Sequence, residues 1–119
     1  MPRPTEIKLH QKSRTLEISF DDDAHFDLPC EYLRVYSPSA EVRGHGPGQE
    51  VLQVGKEQVN ISAIDPVGSY AVRLHFDDGH NTGLYSWDLL YDLGAHQQEK
   101  WQAYLERLRQ AGHNREAGC

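Results

Sequence analysis

Seven histidines and two cysteines are the side chains most able to do chemistry in this sequence. They contain no HExxH and no CxxC pattern; they are His10, His25, His45, His75, His80, His96, His113, Cys30 and Cys119. A zinc site needs three or four ligands that converge on one point. The even spread of the histidines does not indicate such a site, and we expect most of them on polar strand faces.

Two segments, 25–27 and 75–77, each read His-x-Asp. A histidine and an aspartate two residues apart lie on one face of a strand, and together they form part of the two-histidine, one-carboxylate set that binds non-haem iron. The barrel that carries this set in oxygenases does not fit in 119 residues. We therefore expect two polar strand faces, with Phe26 and Phe76 pointing into the core.

Cys30 follows Pro29 at the start of a predicted helix, where the helix dipole could lower the pKa of the thiol. No histidine is placed beside it by the sequence, so a nucleophile and a buried structural thiol both remain open. Segment 43–48 contains three glycines and a proline but follows neither GxGxxG nor a P-loop. It could present backbone N–H groups and His45 to an anion or a partner, or serve as a connector.

Alternation of apolar and polar residues predicts the strands that position these side chains. The predicted strands cover residues 6–10, 15–20, 26–28, 59–63, 70–76 and 80–85. The first two form a hairpin, and Asp78-Gly79 predicts a type I′ turn before the last.

Three helices are predicted from capping residues and apolar spacing. One starts at Pro29 and ends before Pro38; one starts after Ser86 and is ended by Gly94; the third covers 96–111 with an apolar stripe. Grouped strands and grouped helices predict an α+β fold with a mostly antiparallel sheet, short helices packed on it and a C-terminal helix pair. Residues 1–111 form the predicted domain, and 112–119 a disordered tail.

Composition narrows the class of protein. Twelve basic and 18 acidic residues give a formal net charge of −6, which argues against a nucleic-acid binder. There is no apolar run of membrane-spanning length and no apolar signal segment, and the two cysteines build no disulfide framework. We expect a cytoplasmic protein that binds neither nucleic acid nor membrane.

Two stretches resemble the gamma-butyrobetaine hydroxylase-like N-terminal domain family. They are LPCEYLRVYSPSAEVRGHG at 28–46 and FDDGHNTGLYSWDLL at 76–90, and the resemblance covers roughly residues 5–110. The family includes small stand-alone bacterial proteins, the N-terminal domains of hydroxylases whose iron chemistry lies in a separate domain, and fusions to Mrp-type iron–sulfur ATPases. The resemblance therefore implies no oxygenase activity for this chain.

In the hydroxylases the family domain holds a structural zinc through three cysteines and a histidine. The matching positions here are Ser37, Ser39, Val42 and His80. Serine is a poor zinc ligand and valine is none, and one histidine cannot hold the ion. We therefore expect no zinc site of the family's kind. The helix end at Leu33-Arg34 and the hairpin at 78–80 are expected to meet through hydrogen bonds instead.

The leading hypothesis is a non-enzymatic adapter that serves iron–sulfur protein maturation through a protein partner, with an Mrp-type iron–sulfur ATPase as the candidate. The expected contact surface comprises Arg34, Arg43, Gly44, His45, Asp78 and His80. One alternative is an iron- or zinc-binding protein that uses His80, His45 and Cys30. Another is a small enzyme with Cys30 as its nucleophile.

Overall fold

A computed structural model describes residues 2–44 and 51–113 of the chain. In these residues the strands are β1 (Pro4–His10), β2 (Thr15–Phe20), β3 (His25–Pro29), β4 (Ile61–Val67), β5 (Ala71–Phe76) and β6 (Leu84–Ser86). The helices are α1 (Cys30–Val35), α2 (Ala40–Arg43), α3 (Trp87–Ala95) and α4 (Gln97–Gln110). The α+β class, the antiparallel pairing and the C-terminal helix pair are confirmed, and the strands are divided between two sheets.

The first sheet, β1-β2-β3, forms as the alternation predicts. Leu16, Ile18 and Leu28 are completely buried on its inner face. Glu17 and Asp27 pair across β2 and β3 on the outer face. Period-2 patterning therefore predicted both the hairpin and the third strand, because only one face of this sheet meets the core.

The second sheet, β4-β5-β6, departs from the prediction at one end of β5. Val72, Leu74 and Phe76 are buried as expected. Tyr70, predicted to continue this face, precedes the strand and is 58% exposed. The prediction is wrong there because the chain is still in the turn between β4 and β5. Alternation back from the inward-facing Phe76 would also put Ala71 on the outer face, but Ala71 is buried.

The β5–β6 hairpin has a three-residue loop instead of the predicted type I′ turn. That turn requires positive φ at both central residues, and Asp78 does not have it, whereas Gly79 has a φ of 89°. The Gly79 N–H donates to the Phe76 carbonyl at 3.1 Å, and the Phe76 N–H donates to the His80 carbonyl at 3.0 Å. The pattern is typical of a hairpin loop that ends in a left-handed glycine. The predicted return strand over 80–85 is reduced to β6.

The helices also correct two boundaries. Ser86 caps α3 by accepting from the Leu89 N–H, as predicted, but the helix continues through Gly94. Gly94 is required there by packing, since a Cβ at this position would overlap the ring of Phe26. Arg43, predicted as loop, is the last residue of α2. Residues 45–50, most of the predicted glycine-rich loop, and 114–119, most of the predicted tail, lie outside the described residues.

Apolar side chains from both sheets, α1 and α3 share one core, and a smaller cluster packs α4 against α1. Buried tyrosines tie the layers together: Tyr32, Tyr85 and Tyr104 each donate their hydroxyl to a backbone carbonyl at 2.6–2.7 Å. This satisfies the one polar atom of a large buried ring. In the described part of the chain, no helix has the length and apolarity needed to cross a membrane.

Candidate functional site

The end of α1 and the tip of the β5–β6 hairpin meet at an ion-pair cluster. Asp78 accepts hydrogen bonds from Arg34 Nε at 2.9 Å and from Lys56 Nζ at 2.8 Å. Burial alone would raise the pKa of Asp78, but these two bonds and one from the His80 N–H lower it to about 2. The expected meeting of the helix end and the hairpin is confirmed, and the Asp78 carboxylate stays ionised at neutral pH.

A second set of hydrogen bonds joins the α1–α2 connection to His80. Ser37 Oγ lies 2.8 Å from His80 Nε2, and Glu41 Oε2 lies 3.0 Å from His80 Nδ1. Burial lowers the pKa of His80, and the Arg34 charge lowers it further, outweighing Glu41 and Asp78. The imidazole is therefore neutral at pH 7. Because the Glu41 carboxylate can only accept, Nδ1–H donates to it and Nε2 accepts from the Ser37 hydroxyl.

Ser39 extends this network to the chain that follows the hairpin tip. Its hydroxyl lies 2.7 Å from the Thr82 hydroxyl and also accepts from the Glu41 N–H, which caps α2. Its own N–H donates to Ser37 Oγ at 3.2 Å. Gly83 packs directly on Ser37, where a Cβ would collide with the serine oxygen. The network thus fixes the position of α2 relative to the hairpin.

Ser37, His80 and Glu41 have the connectivity of a serine hydrolase triad, which the sequence alone did not reveal. In such a triad the serine hydroxyl must reach a substrate carbonyl beside an oxyanion hole. Here Ser37 is 1% exposed, and Gly83 and the Ser39 N–H cover its oxygen. Glu41, the residue that should be buried, has a side chain 65% exposed. The arrangement is therefore suited to hold the fold and not to attack a substrate.

These contacts involve the four positions that match the zinc ligands of the hydroxylases in the sequence resemblance. Ser37 and Ser39 use their oxygens in hydrogen bonds, Val42 is buried, and both nitrogens of His80 are engaged. Within the described residues, neither His80 nor Cys30 belongs to a group of three side chains that could hold a metal. The metal-binding alternative built on His80, His45 and Cys30 receives no support from this geometry, and His45 lies outside the described residues.

A groove of about 540 Å³ lies beside this network, between α1, α2 and α4. Its lining is apolar at Val35, Val42 and Leu52 and cationic at Arg43, Lys100 and Arg107, with Tyr36 and Ser37 completing it. Sequence reasoning included Arg43 but missed the two cations of α4. Their spacing of seven residues, which puts both on one helix face, is the signal that could have found them.

The cations of the groove differ in how they are neutralised. Lys100 lies 3.5 Å from Asp92 and 5.6 Å from the centre of the Tyr36 ring. In residues 2–44 and 51–113, no carboxylate forms an ion pair with Arg43 or Arg107. Counting the described residues alone, the groove therefore has a local excess of positive charge on a chain whose net charge is −6.

The residues of the expected contact surface have different exposures. Arg34 and His80 are buried, with relative exposures of 7% and 5%. They therefore cannot contact a partner directly, and they stabilise the exposed residues through hydrogen bonds to Asp78 and Glu41. Arg43 is exposed and Gly44 is half-buried. Of the predicted surface in the described residues, Arg43 is the cation best placed to meet a partner.

Cys30 is completely buried, and its Sγ lies 3.8 Å from Asn60 Oδ1. Burial raises the pKa of the thiol to about 11. Of the two alternatives left open for Cys30, the buried structural thiol is the one that this geometry supports, because loss of solvation outweighs the effect of a short helix on the pKa. The thiolate required of a nucleophile is therefore scarce at neutral pH. Cys119 lies outside the described residues.

Solved structures similar to this chain include two determined by NMR in solution. The first is 60% identical, with a TM-score of 0.83, over 97% of this chain and 86% of that one. The second is 48% identical, also with a TM-score of 0.83, over 97% and 90%. A crystal structure from Acidithiobacillus ferrooxidans, of a DUF971-family protein of unknown function, is 40% identical, with a TM-score of 0.66, over 78% and 93%. No curated protein matches the chain.

Residues 7–91 match the family described as gamma-butyrobetaine hydroxylase-like, N-terminal. This range contains both stretches that carry the resemblance, together with the polar network and the Arg43 side of the groove. The chain therefore belongs to the gamma-butyrobetaine hydroxylase-like N-terminal domain family, a domain family of unknown function.

Proposed function

We propose that this protein is a non-enzymatic accessory domain that binds an acidic segment of a protein partner in the groove between α1, α2 and α4. The observation that carries the proposal is the concentration of Arg43, Lys100 and Arg107 around an apolar floor in an otherwise acidic protein. Carboxylates of the partner pair with the arginine guanidinium groups, and an apolar side chain between them covers Val42 and Leu52.

The rigidity of the groove supports a binding role. The end of α1 is fixed by the Arg34–Asp78 pair, and α2 is fixed by the bonds of Ser39 and Glu41. A surface that is ordered before binding loses less conformational entropy on association. The network therefore has a use at this position without taking part in a reaction.

The chemistry of the candidate nucleophiles favours binding over catalysis. Ser37 is covered, and the thiol of Cys30 is buried with a raised pKa. A catalytic nucleophile must reach its substrate and be activated by a neighbouring base. Neither side chain meets both requirements, whereas the cations of the groove are open to solvent on one side.

The partner that we infer is an Mrp-type iron–sulfur ATPase, and the process is iron–sulfur protein maturation in the cytoplasm. This assignment rests on the family's occurrence as a fusion to such ATPases. The cytoplasmic location rests on the low cysteine content of the sequence. The groove supplies the chemistry of recognition, which favours a partner with exposed acidic residues.

Isothermal titration calorimetry with the purified ATPase of the same organism tests the proposal. Replacing Arg43 and Arg107 together by glutamate is expected to weaken binding at least about tenfold, since each desolvated charge pair contributes on the order of 1 kcal/mol or more. Replacing Lys12 and Arg14 together by glutamate, both exposed in the β1–β2 turn, makes the same charge change outside the groove and should leave affinity within about twofold. Equal affinity of all three proteins, or no binding by the wild type, would contradict the proposal.

A further inference from the structure

The outer face of the first sheet carries a cluster of potential metal ligands that is separate from the groove. Glu17 lies on the central strand β2, with His25 and Asp27 on β3 and His10 on β1. One donor atom each of Glu17, His25 and Asp27 lies within 4.8 Å of the other two. Two imidazoles and two carboxylates thus converge on one face, from three paired strands.

The distances match those between ligands of one ion. His25 Nε2 lies 3.4 Å from Glu17 Oε2 and 3.6 Å from Asp27 Oδ1. Two ligands bound at about 2.0–2.1 Å to a tetrahedral zinc lie about 3.3–3.4 Å apart. The distances are longer than the 2.7–3.2 Å of ordinary N–H···O hydrogen bonds. Both distances therefore fit two ligands of one ion, and the donor atoms of Glu17 and Asp27 lie within 4.8 Å of each other.

Two further contacts orient the ligands. Ser19 Oγ lies 2.9 Å from His25 Nδ1, which directs the other nitrogen of the ring to the cluster. His10 Nε2 lies 2.7 Å from Glu17 Oε1, which leaves Oε2 directed at His25. Partners of this kind fix ring orientation and carboxylate geometry in metal sites. The His10 contact also lowers the pKa of Glu17 and so favours the ionised carboxylate that a metal requires.

The lysine on the neighbouring strand pairs with another carboxylate. Lys8 is opposite Glu17 in the register of β1 and β2, but its ammonium group pairs with Glu6 at 3.4 Å. The ligand side chains stand on hydrogen-bonded strands, which hold a site more precisely than loops do. All of them are accessible from solvent, so an ion can enter without opening the fold.

We propose that Glu17, His25 and Asp27 bind one divalent transition-metal ion, with His10 and Ser19 as positioning residues. Imidazole combined with carboxylate suits zinc and iron(II) better than magnesium or calcium, which prefer oxygen ligands alone. Three protein ligands leave a coordination position to solvent, as in an exchangeable site. The site does not use His80, Cys30 or the groove.

The proposal is tested by titrating the untagged full chain with Zn²⁺. Binding is measured by calorimetry and by the side-chain NMR signals of the histidines. We expect one equivalent of Zn²⁺ with a dissociation constant in the micromolar range, and shifts of the His25 ring signals. His25→Ala and Glu17→Gln should each weaken binding at least about tenfold, and Ser19→Ala about tenfold. These side chains are on the surface, and a circular dichroism melt verifies that each variant is folded.

His75→Ala is the matched control, because His75 forms a similar pair with Asp65 at 2.7 Å on the second sheet but, among the described residues, has no third ligand beside it. It should leave the zinc affinity unchanged. Three results would overturn the proposal. They are no zinc binding by the wild type at millimolar concentration, unchanged affinity in both the His25→Ala and Glu17→Gln variants, and an equal loss in the His75→Ala control.

Discussion

Replacement of Asp78 by asparagine removes the charge that holds the β5–β6 hairpin to α1. The pKa of Asp78 is about 2 in the folded protein, against 3.8 for the free side chain. A pKa difference of this size corresponds to roughly 2–3 kcal/mol, which screening at a partly exposed carboxylate reduces to about 1–2 kcal/mol. The variant also leaves the buried Arg34 guanidinium without its counter-charge, which brings the expected loss to about 2–3 kcal/mol.

Urea unfolding, monitored by tryptophan fluorescence at several pH values, measures this loss in the free energy of unfolding. Because the folded-state pKa is depressed, the stabilisation is complete above about pH 4–5 and is lost as the pH falls towards 2. The free energy of unfolding of the wild type should therefore be about 2–3 kcal/mol larger than that of Asp78→Asn at pH 7. The electrostatic part of this difference should fall to roughly half near pH 3.

Asp65→Asn is the control for this measurement, since Asp65 has a side chain 61% exposed and contacts one histidine. It should change the free energy of unfolding by less than about 0.5 kcal/mol. A loss of less than about 0.5 kcal/mol for Asp78→Asn at pH 7 would show that the Asp78 charge does not hold the hairpin to α1. A difference that does not change between pH 7 and pH 3 would show that the loss is not electrostatic.

Three further substitutions or reactions test the packing and the network. Gly94→Ala should lower stability by about 1–3 kcal/mol in thermal unfolding, because the new methyl group overlaps Phe26; a stabilised variant would contradict this packing. Cys30 should react with iodoacetamide at pH 7.5 far more slowly in folded than in urea-unfolded protein, and equal rates by intact-mass analysis would contradict its burial. Ser37→Ala should lower the free energy of unfolding, measured by urea denaturation, by about 1–3 kcal/mol, because the variant leaves a buried nitrogen of His80 without its hydrogen-bond donor. Labelling of wild-type Ser37 by a fluorophosphonate would show, against our interpretation, that its hydroxyl is accessible and activated.

The regular elements were predictable where one physical signal acted alone. Alternation located β2 because Leu16 and Ile18 face the core and their neighbours face solvent. Alternation failed at Tyr70, because this residue still belongs to the turn before β5. The prediction that Gly94 ends α3 also failed. A glycine signals a helix end only when backbone conformation is the reason for it, and at Gly94 the reason is the ring of Phe26.

The polar network and the outer-face cluster depend on contacts between distant segments. Ser37 and His80 are 43 residues apart, and only the family resemblance indicated that they would meet. The His25-Asp27 pair was visible as one strand face, but its proximity to Glu17 depends on the register of β2 with β3. Register is fixed by core packing, so local sequence cannot reveal which polar residues face each other.

NMR mapping with the proposed partner shows whether the groove between α1, α2 and α4 is the contact surface. The ¹⁵N-labelled protein is titrated with the unlabelled Mrp-type ATPase, and the amide signals are followed. We expect the signals of 42–44, Leu52, Lys100 and Arg107 to broaden first, and added salt to reverse the effect. Broadening confined to the outer face of the first sheet, or no change at saturating ATPase, would contradict this expectation.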